Sequence, residues 1–167
     1  MSDLQKLLTE FAEGRVALVE RHEASARAVS HYDFNNTYQY VISREETHLS
    51  WLQNALAEYD AVLPQAGADA LPAPPAPKRG GKIESGAFRG ILEDDARYLA
   101  AFVDKWRAPV DAIAHARHRS MLNVILGESI EHQRLFEQAA AGFEDLLGRR
   151  TGGVARVGAV LPTRWLE

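Results

Sequence analysis

The sequence contains no cysteine among its 167 residues, which excludes disulfides, thiol nucleophiles and thiolate metal sites. Any bound metal would have to take nitrogen and oxygen ligands, and the lack of disulfides fits a reducing, cytoplasmic compartment. No stretch approaches the ~20 apolar residues of a spanning helix, and Met1-Ser2-Asp3-Leu4-Gln5-Lys6 lacks the apolar core of a signal peptide, so no membrane partner is expected. Positive charge is not in excess: 19 Lys and Arg stand against 23 Asp and Glu, for a net charge of -4. With no basic cluster interleaved with aromatics, this balance argues against a nucleic-acid surface. Glycine and proline are missing from residue 31 to residue 62, which permits one uninterrupted helix of ~30 residues there.

The remaining composition, 46% hydrophobic and 25% charged, is that of an ordinary globular protein, and one domain over residues 1–167 accounts for the length. Apolar residues recur at helical spacing in four segments. The first covers residues 3–30, where Leu4, Leu7, Leu8, Phe11, Leu18 and Val19 trace one face. That same face takes in Gly14, Arg15 and His22, while Glu13 and Glu20 point away. The second segment, residues 32–62, carries Tyr38, Val41, Leu49, Leu52, Leu56 and Tyr59. The third, residues 88–106, carries Phe88, Ile91, Leu92, Leu99, Phe102 and Trp106 with Asp95 at the centre of the stripe. Pro109 suits a first helical position and opens the fourth, residues 110–147, whose stripe of Met121, Val124, Leu135, Ala139 and Leu146 includes Glu128, flanked by Glu131 and His132.

Between the second and third segments, residues 64–87 are rich in proline, alanine and glycine, which forbids a continuing helix. At about 3.1 Å per residue such a stretch can cross the whole length of a bundle. The expected architecture is all-α: a four-helix bundle of two antiparallel hairpins joined by a long crossover. Residues 148–167 do not read as helix but hold Val154, Val160, Leu161, Trp165 and Leu166. An apolar tail of this kind calls for a groove, and docking on a neighbouring copy predicts a homodimer.

The stretch Ser43-Arg44-Glu45-Glu46-Thr47-His48-Leu49-Ser50-Trp51 places Glu45 and His48 on a core stripe. A carboxylate buried there needs a metal, a cation or a shared proton. In an antiparallel hairpin, residues equidistant from the turn are level, and Arg15 and Glu45 each lie fifteen residues from Ser30. Asp95 and Glu128 straddle the second turn in the same way. Two readings of Glu45 and His48 follow: metal ligands, or a salt bridge to Arg15 with a histidine bonded to a carboxylate. His22 is level with Tyr38 and is expected to share a hydrogen bond with it. His115 and His118 are expected on the surface.

Glu45-Glu46-Thr47-His48 and Glu128-Ser129-Ile130-Glu131-His132, on matching helices of two hairpins, resemble the ferritin-like superfamily, including rubrerythrin-type di-iron carboxylate bundles. The resemblance covers residues 1 to about 147. In that family one helix of each hairpin supplies a Glu and the other a Glu-x-x-His, all facing inward. It implies a transition metal, iron first and manganese or zinc as alternatives, one or two ions held by Glu45, His48, Asp95, Glu128, Glu131 and His132. The implied activity is iron oxidation, peroxide removal or a related oxidoreductase reaction. The pattern departs from the family at three points: Asp95 stands for a Glu, His132 falls one residue late, and Arg15 holds the inward position of the first helix where an acid is expected. The alternatives are a mononuclear metal enzyme of the DinB-like bundle type and a metal-free ferritin-like interaction or structural module.

Overall fold

The computed structural model describes residues 1–76, 85–144, 146 and 147. The tail at 148–167, and the assembly expected from it, lie outside the described residues. Among these residues the protein is all-helical, with α1 at Asp3–Ala28, α2 at Tyr32–Ala57, α3 at Arg89–Asp111 and α4 at Ala116–Ala140, plus short 3-10 turns at Gly67–Asp69 and Ser85–Phe88. None of the described helices is long and apolar enough to cross a membrane.

Local chemistry sets the helix ends. Ser2 caps α1 by accepting from the Gln5 amide at 3.1 Å. His31 and His115 cap α2 and α4, each imidazole Nδ1 facing the amide three residues on at 3.4 Å. The turn between α1 and α2 is tied by Asn35, whose side-chain amide donates to the carbonyls of Ala26 and Val29 at 2.7 and 3.1 Å.

Four helix ends differ by more than two residues from the sequence reading: the ends of α2, α3 and α4, and the start of α4, which opens at Ala116 rather than 110. The second helix stops at Ala57 rather than 62, because Asp60 takes φ 55° and the Ala61 amide donates back to the Leu56 carbonyl at 3.1 Å. The fourth stops at Ala140 rather than 147, because Gly142 takes φ 94° and the Phe143 amide donates to the Gln138 carbonyl at 3.0 Å. Both are left-handed C-terminal caps, one on aspartate and one on glycine. Pro109 does not open α4; it lies in the last turn of α3, which runs on to Asp111.

Pairwise contacts fix the topology. Phe102 and Trp106 of α3 pack on Phe11 of α1 at ring separations of 4.9 and 5.3 Å, while Asp95 of α3 meets Arg21 of α1. The two helices therefore run antiparallel. Arg117 of α4 meets Glu58 just past α2, and Glu128 of α4 meets Arg44 of α2, so that pair is antiparallel as well. With α1 antiparallel to α2 and α3 to α4, the bundle runs up, down, down, up. The connection from α2 to α3 must then travel the length of the bundle, as the proline-rich composition allows.

The first half of that connection lies against the bundle rather than free of it. Ala66 is buried, the Pro72 carbonyl accepts from the Arg21 guanidinium at 2.6 Å, and Asp69 faces Lys105 at 3.7 Å. Close packing of α1 on α3 depends on Gly14, where a Cβ would stand 3.0 Å from the Phe102 ring. The apolar core is one cluster reaching from Leu8 and Phe11 through Tyr38 and Leu99 to Phe136. At roughly 1.5–3 kcal/mol for each large apolar side chain, it supplies the main driving force for folding.

Candidate functional site: a buried ion network

Among the described residues, eleven polar or charged ones are buried inside this core, including Arg15, Arg21, His22, Glu45, His48, Asp95, Ser129 and His132. Their helices bring them inward by period alone: His48 follows Glu45 by three positions and His132 follows Ser129 by three, and i and i+3 share a face. The tertiary structure sorts most of them into two groups.

The first group centres on Arg15, whose side chain is wholly excluded from solvent. Its guanidinium donates to the Ser129 hydroxyl at 2.9 Å, to Glu45 Oε2 at 3.0 Å and to His48 Nδ1 at 3.2 Å. A guanidinium has only N–H donors, so His48 Nδ1 must accept and the proton of this imidazole must sit on Nε2, which donates to Glu128 Oε2. Arg44 completes the outer side, donating to Glu128 Oε1 through Nε and a terminal nitrogen at 3.0 and 2.8 Å. The other Glu45 oxygen meets His22 Nδ1 at 2.5 Å.

Burial sets the protonation states, opposed or assisted by neighbours. Burial would raise the Glu45 carboxyl, but His22 and Arg15 outweigh it and hold Glu45 below its ordinary value. Glu128 is likewise held low, the His48 and Arg44 bonds overcoming desolvation. Desolvation lowers His48, and the Arg15 charge lowers it further, against the pull of Glu128. His132 is pushed down to about 4, by burial first, with the Arg15 charge adding to it and Glu45 opposing. Burial also lowers Arg15, opposed by Glu45 and Glu128, yet a guanidinium keeps its proton at physiological pH. At neutral pH, two guanidinium groups therefore face two carboxylates, with His48 and His132 uncharged.

The second group forms around Asp95 and is separate. Asp95 accepts from Arg21 Nε at 2.7 Å and from the Tyr38 hydroxyl at 2.5 Å. Arg21 also lies over the Tyr98 ring at 5.3 Å. Burial, then the Asp95 charge, raises the Tyr38 phenol well above its ordinary value.

The six residues expected as metal ligands are thus distributed unevenly. Glu45, His48 and Glu128 join one network through Arg15, and His132 stands beside it, its ring 6.3 Å from that of His48. Asp95 is taken by Arg21 and Tyr38 in the other network, and Glu131 is exposed. Among the described residues no group of three or more His, Asp or Glu is placed to hold a metal ion. The chemistry of the donor set agrees. At 4 Å and an effective dielectric of ~20, each unit of added positive charge beside Arg15 would cost about 4 kcal/mol, and the carboxylates already have cationic partners. These residues do not fit a two-metal centre.

His22 bonds Glu45 rather than Tyr38, whose ring lies 6.3 Å away, because Tyr38 is drawn to Asp95. His118 is buried rather than on the surface, 3.4 Å from Glu58, while His115 is exposed as the cap of α4. Arg21, Arg44 and Ser129 escaped the sequence reading although their spacing points inward: Arg21 follows Leu18 by three, Arg44 follows Val41 by three and Ser129 follows Ile125 by four. Charged residues on a stripe's edge read as solvated, and only a partner across the bundle turns them in.

Fold and site together define a four-helix bundle with a crossover and a largely buried network of ion pairs. Comparison with protein-family models, with curated proteins and with solved structures finds no match in any of the three.

Proposed function

We propose that the chain is a ferritin-like bundle in which the Arg15 guanidinium takes the electrostatic place of metal cations, and that it acts as a binding or interaction module rather than as an oxidoreductase. The observation that carries this reading is Arg15 itself, held between Glu45, His48 and Ser129 with no solvent exposure. A permanent internal cation satisfies the carboxylate that a ferrous, manganous or zinc ion would otherwise bridge, without redox chemistry.

Metal analysis tests it. Protein purified without chelator should carry far less than one iron, manganese or zinc per chain, and one or two tightly held ions per chain would overturn the reading. Arg15→Gln, checked for helix content by circular dichroism, should take up more metal than wild type, since Glu45 and His48 lose their cationic partner.

A second reading, one catalytic metal ion per chain, is favoured by a different observation. His22 Nε2 and His132 Nδ1 are buried nitrogens without a hydrogen-bond partner among the described residues, and imidazole nitrogen is a ligand such a metal takes. A single ion that is lost from both His22→Phe and His132→Phe would favour this reading over the first.

A further inference from the structure

The crossover carries a surface that neither the core nor the ion network uses. Pro72, Pro74 and Pro75 fix their own φ at about −65°, and each pushes the residue before it into extended backbone, so Leu71, Ala73 and Pro74 are extended too. Ala70 leads in at φ −53° and ψ 130°, and no residue from 71 to 76 takes a positive φ. Residues 71–76 therefore make roughly two turns of left-handed polyproline helix, at about three residues per turn. Burial follows that period. Leu71 and Pro74 are half-buried, whereas Pro72, Ala73, Pro75 and Ala76 are exposed. One edge lies on the bundle, where Leu71 lines the same groove as Tyr98, Phe102 and Trp106 of α3. On the outward side, Pro72 and Pro75 form a ridge, about 9 Å apart along the helix axis.

The bundle holds this ridge in place. The Pro72 carbonyl accepts from Arg21 at 2.6 Å, and Arg21 is itself fixed by Asp95 at 2.7 Å and by the Tyr98 ring at 5.3 Å. Among the described residues no donor meets the carbonyls of Ala73, Pro74 or Pro75. A bare connection needs none of these ties. At about 3.1 Å per residue, the roughly 30 residues between α2 and α3 reach more than twice the ~39 Å of a helix the length of α2.

We propose that residues 71–76 are a docking ridge for a partner protein whose groove is lined with aromatic side chains, the kind of groove that reads polyproline helices. The rings of Pro72 and Pro75 fill two successive slots between the aromatic side chains, and the carbonyls beside them accept from the partner's indole N–H or phenol O–H groups. Because the bundle already holds the ridge in this backbone, docking loses little further conformational entropy. Resting on the reading of the chain as an interaction module, the ridge supplies that module's contact surface.

The test is a titration of 15N-labelled SH3, WW and EVH1 domains and profilin with the unlabelled full chain, followed by the indole signals of each groove. A saturable shift is expected in at least one of them. Pro72→Ala and Pro75→Ala should each bind about tenfold more weakly, the size of two ring carbons withdrawn from an apolar groove, while Pro74→Ala, whose ring faces the bundle, should bind like wild type. All three variants should keep their helix content, since none touches a helix. No shift in any of the probes at about 1 mM chain, a concentration that detects even millimolar binding, would overturn the ridge. An equal loss from all three substitutions would overturn its one-sided geometry. Light scattering that shows the chain alone associating through Pro75 would overturn the foreign partner in favour of a second copy. Metal content is measured on the same samples: binding by a chain that carries one or two tightly held ions overturns the Arg15 reading alone, and no binding by a metal-free chain overturns the ridge alone.

Discussion

Arg15 of α1 and Glu45 of α2, thirty residues apart in the chain, meet at 3.0 Å with neither side chain reaching solvent. Two such charges are retained in a core only when each completes the other. A buried pair stabilises little against an apolar replacement, but removing one partner strands the other. Arg15→Met should therefore destabilise the protein by about 3–5 kcal/mol. Urea unfolding of Arg15→Met, Glu45→Gln and the double variant measures this: the double variant should be more stable than the sum of the single losses implies, and simple additivity would mean that the pair is not coupled.

Acid should weaken the fold through His132 and the two glutamates together. His132 has a folded value of about 4 against 6.5 unfolded, so between these values the unfolded state binds the extra proton and stability falls as pH falls. The window is worth about 3 kcal/mol. Glu45 and Glu128 act with the same sign at lower pH: their folded values lie below 4.5, so the stability they contribute is present above 4.5 and is lost as pH falls through the folded values. Denaturation midpoints measured from pH 7 to pH 4 should drop for the wild type and stay flatter for His132→Phe. A wild-type protein with constant stability over that range would contradict a buried, neutral His132.

At the alkaline end the relevant group is Tyr38. Its folded value is raised well above 10.0 by burial and by Asp95, so above pH 10 the unfolded chain releases a proton that the folded chain keeps, and stability falls as pH rises. Ultraviolet titration should show one of the five tyrosines ionising only as the protein unfolds. Tyr38→Phe should remove that step and cost about 1–3 kcal/mol at neutral pH, because Asp95 loses one of its two donors.

Two glycines inside helices should respond oppositely to alanine. At Gly127 of α4 a Cβ meets nothing within 4 Å, so Gly127→Ala should gain about 1 kcal/mol from helix propensity. At Gly14 a Cβ would lie 3.0 and 3.3 Å from two carbons of the Phe102 ring, which is itself wedged against Phe11 and the Arg15 guanidinium. Overpacking costs roughly 1–3 kcal/mol and outweighs the propensity gain, so Gly14→Ala should destabilise. Thermal unfolding of both variants tests the pair, and stabilisation at Gly14 would show that α1 and α3 have room to separate.

Much of the fold is legible in the chain because an amphipathic helix is a local property. The apolar periods in residues 3–30 and 88–106, the glycine-free and proline-free run after residue 31, and the proline-rich crossover follow from spacing and backbone chemistry alone. The hairpin register of Arg15 and Glu45 is equally local, since both are counted from one short turn. The ends of α2 and α4 were harder to place, because apolar residues continue past Asp60 and Gly142, where a left-handed backbone stops the helix.

By itself, then, the sequence determined that four amphipathic helices form and that Arg15, Glu45, His48 and Asp95 face inward, because helical period and distance from a turn depend only on residue number. Only the tertiary structure decided which charge answers which: Asp95 to Arg21 and Tyr38, Glu45 to Arg15 and His22, Glu128 to His48 and Arg44, with Glu131 turned out to solvent. One residue turns a helix by about 100° and advances it by 1.5 Å, so a small rotation or shift of one helix against its neighbour exchanges one partner for another. That rotation and shift are set by packing, here by Phe102 seated on Gly14 and by Arg21 bonded to the crossover at Pro72, contacts between segments far apart in the chain.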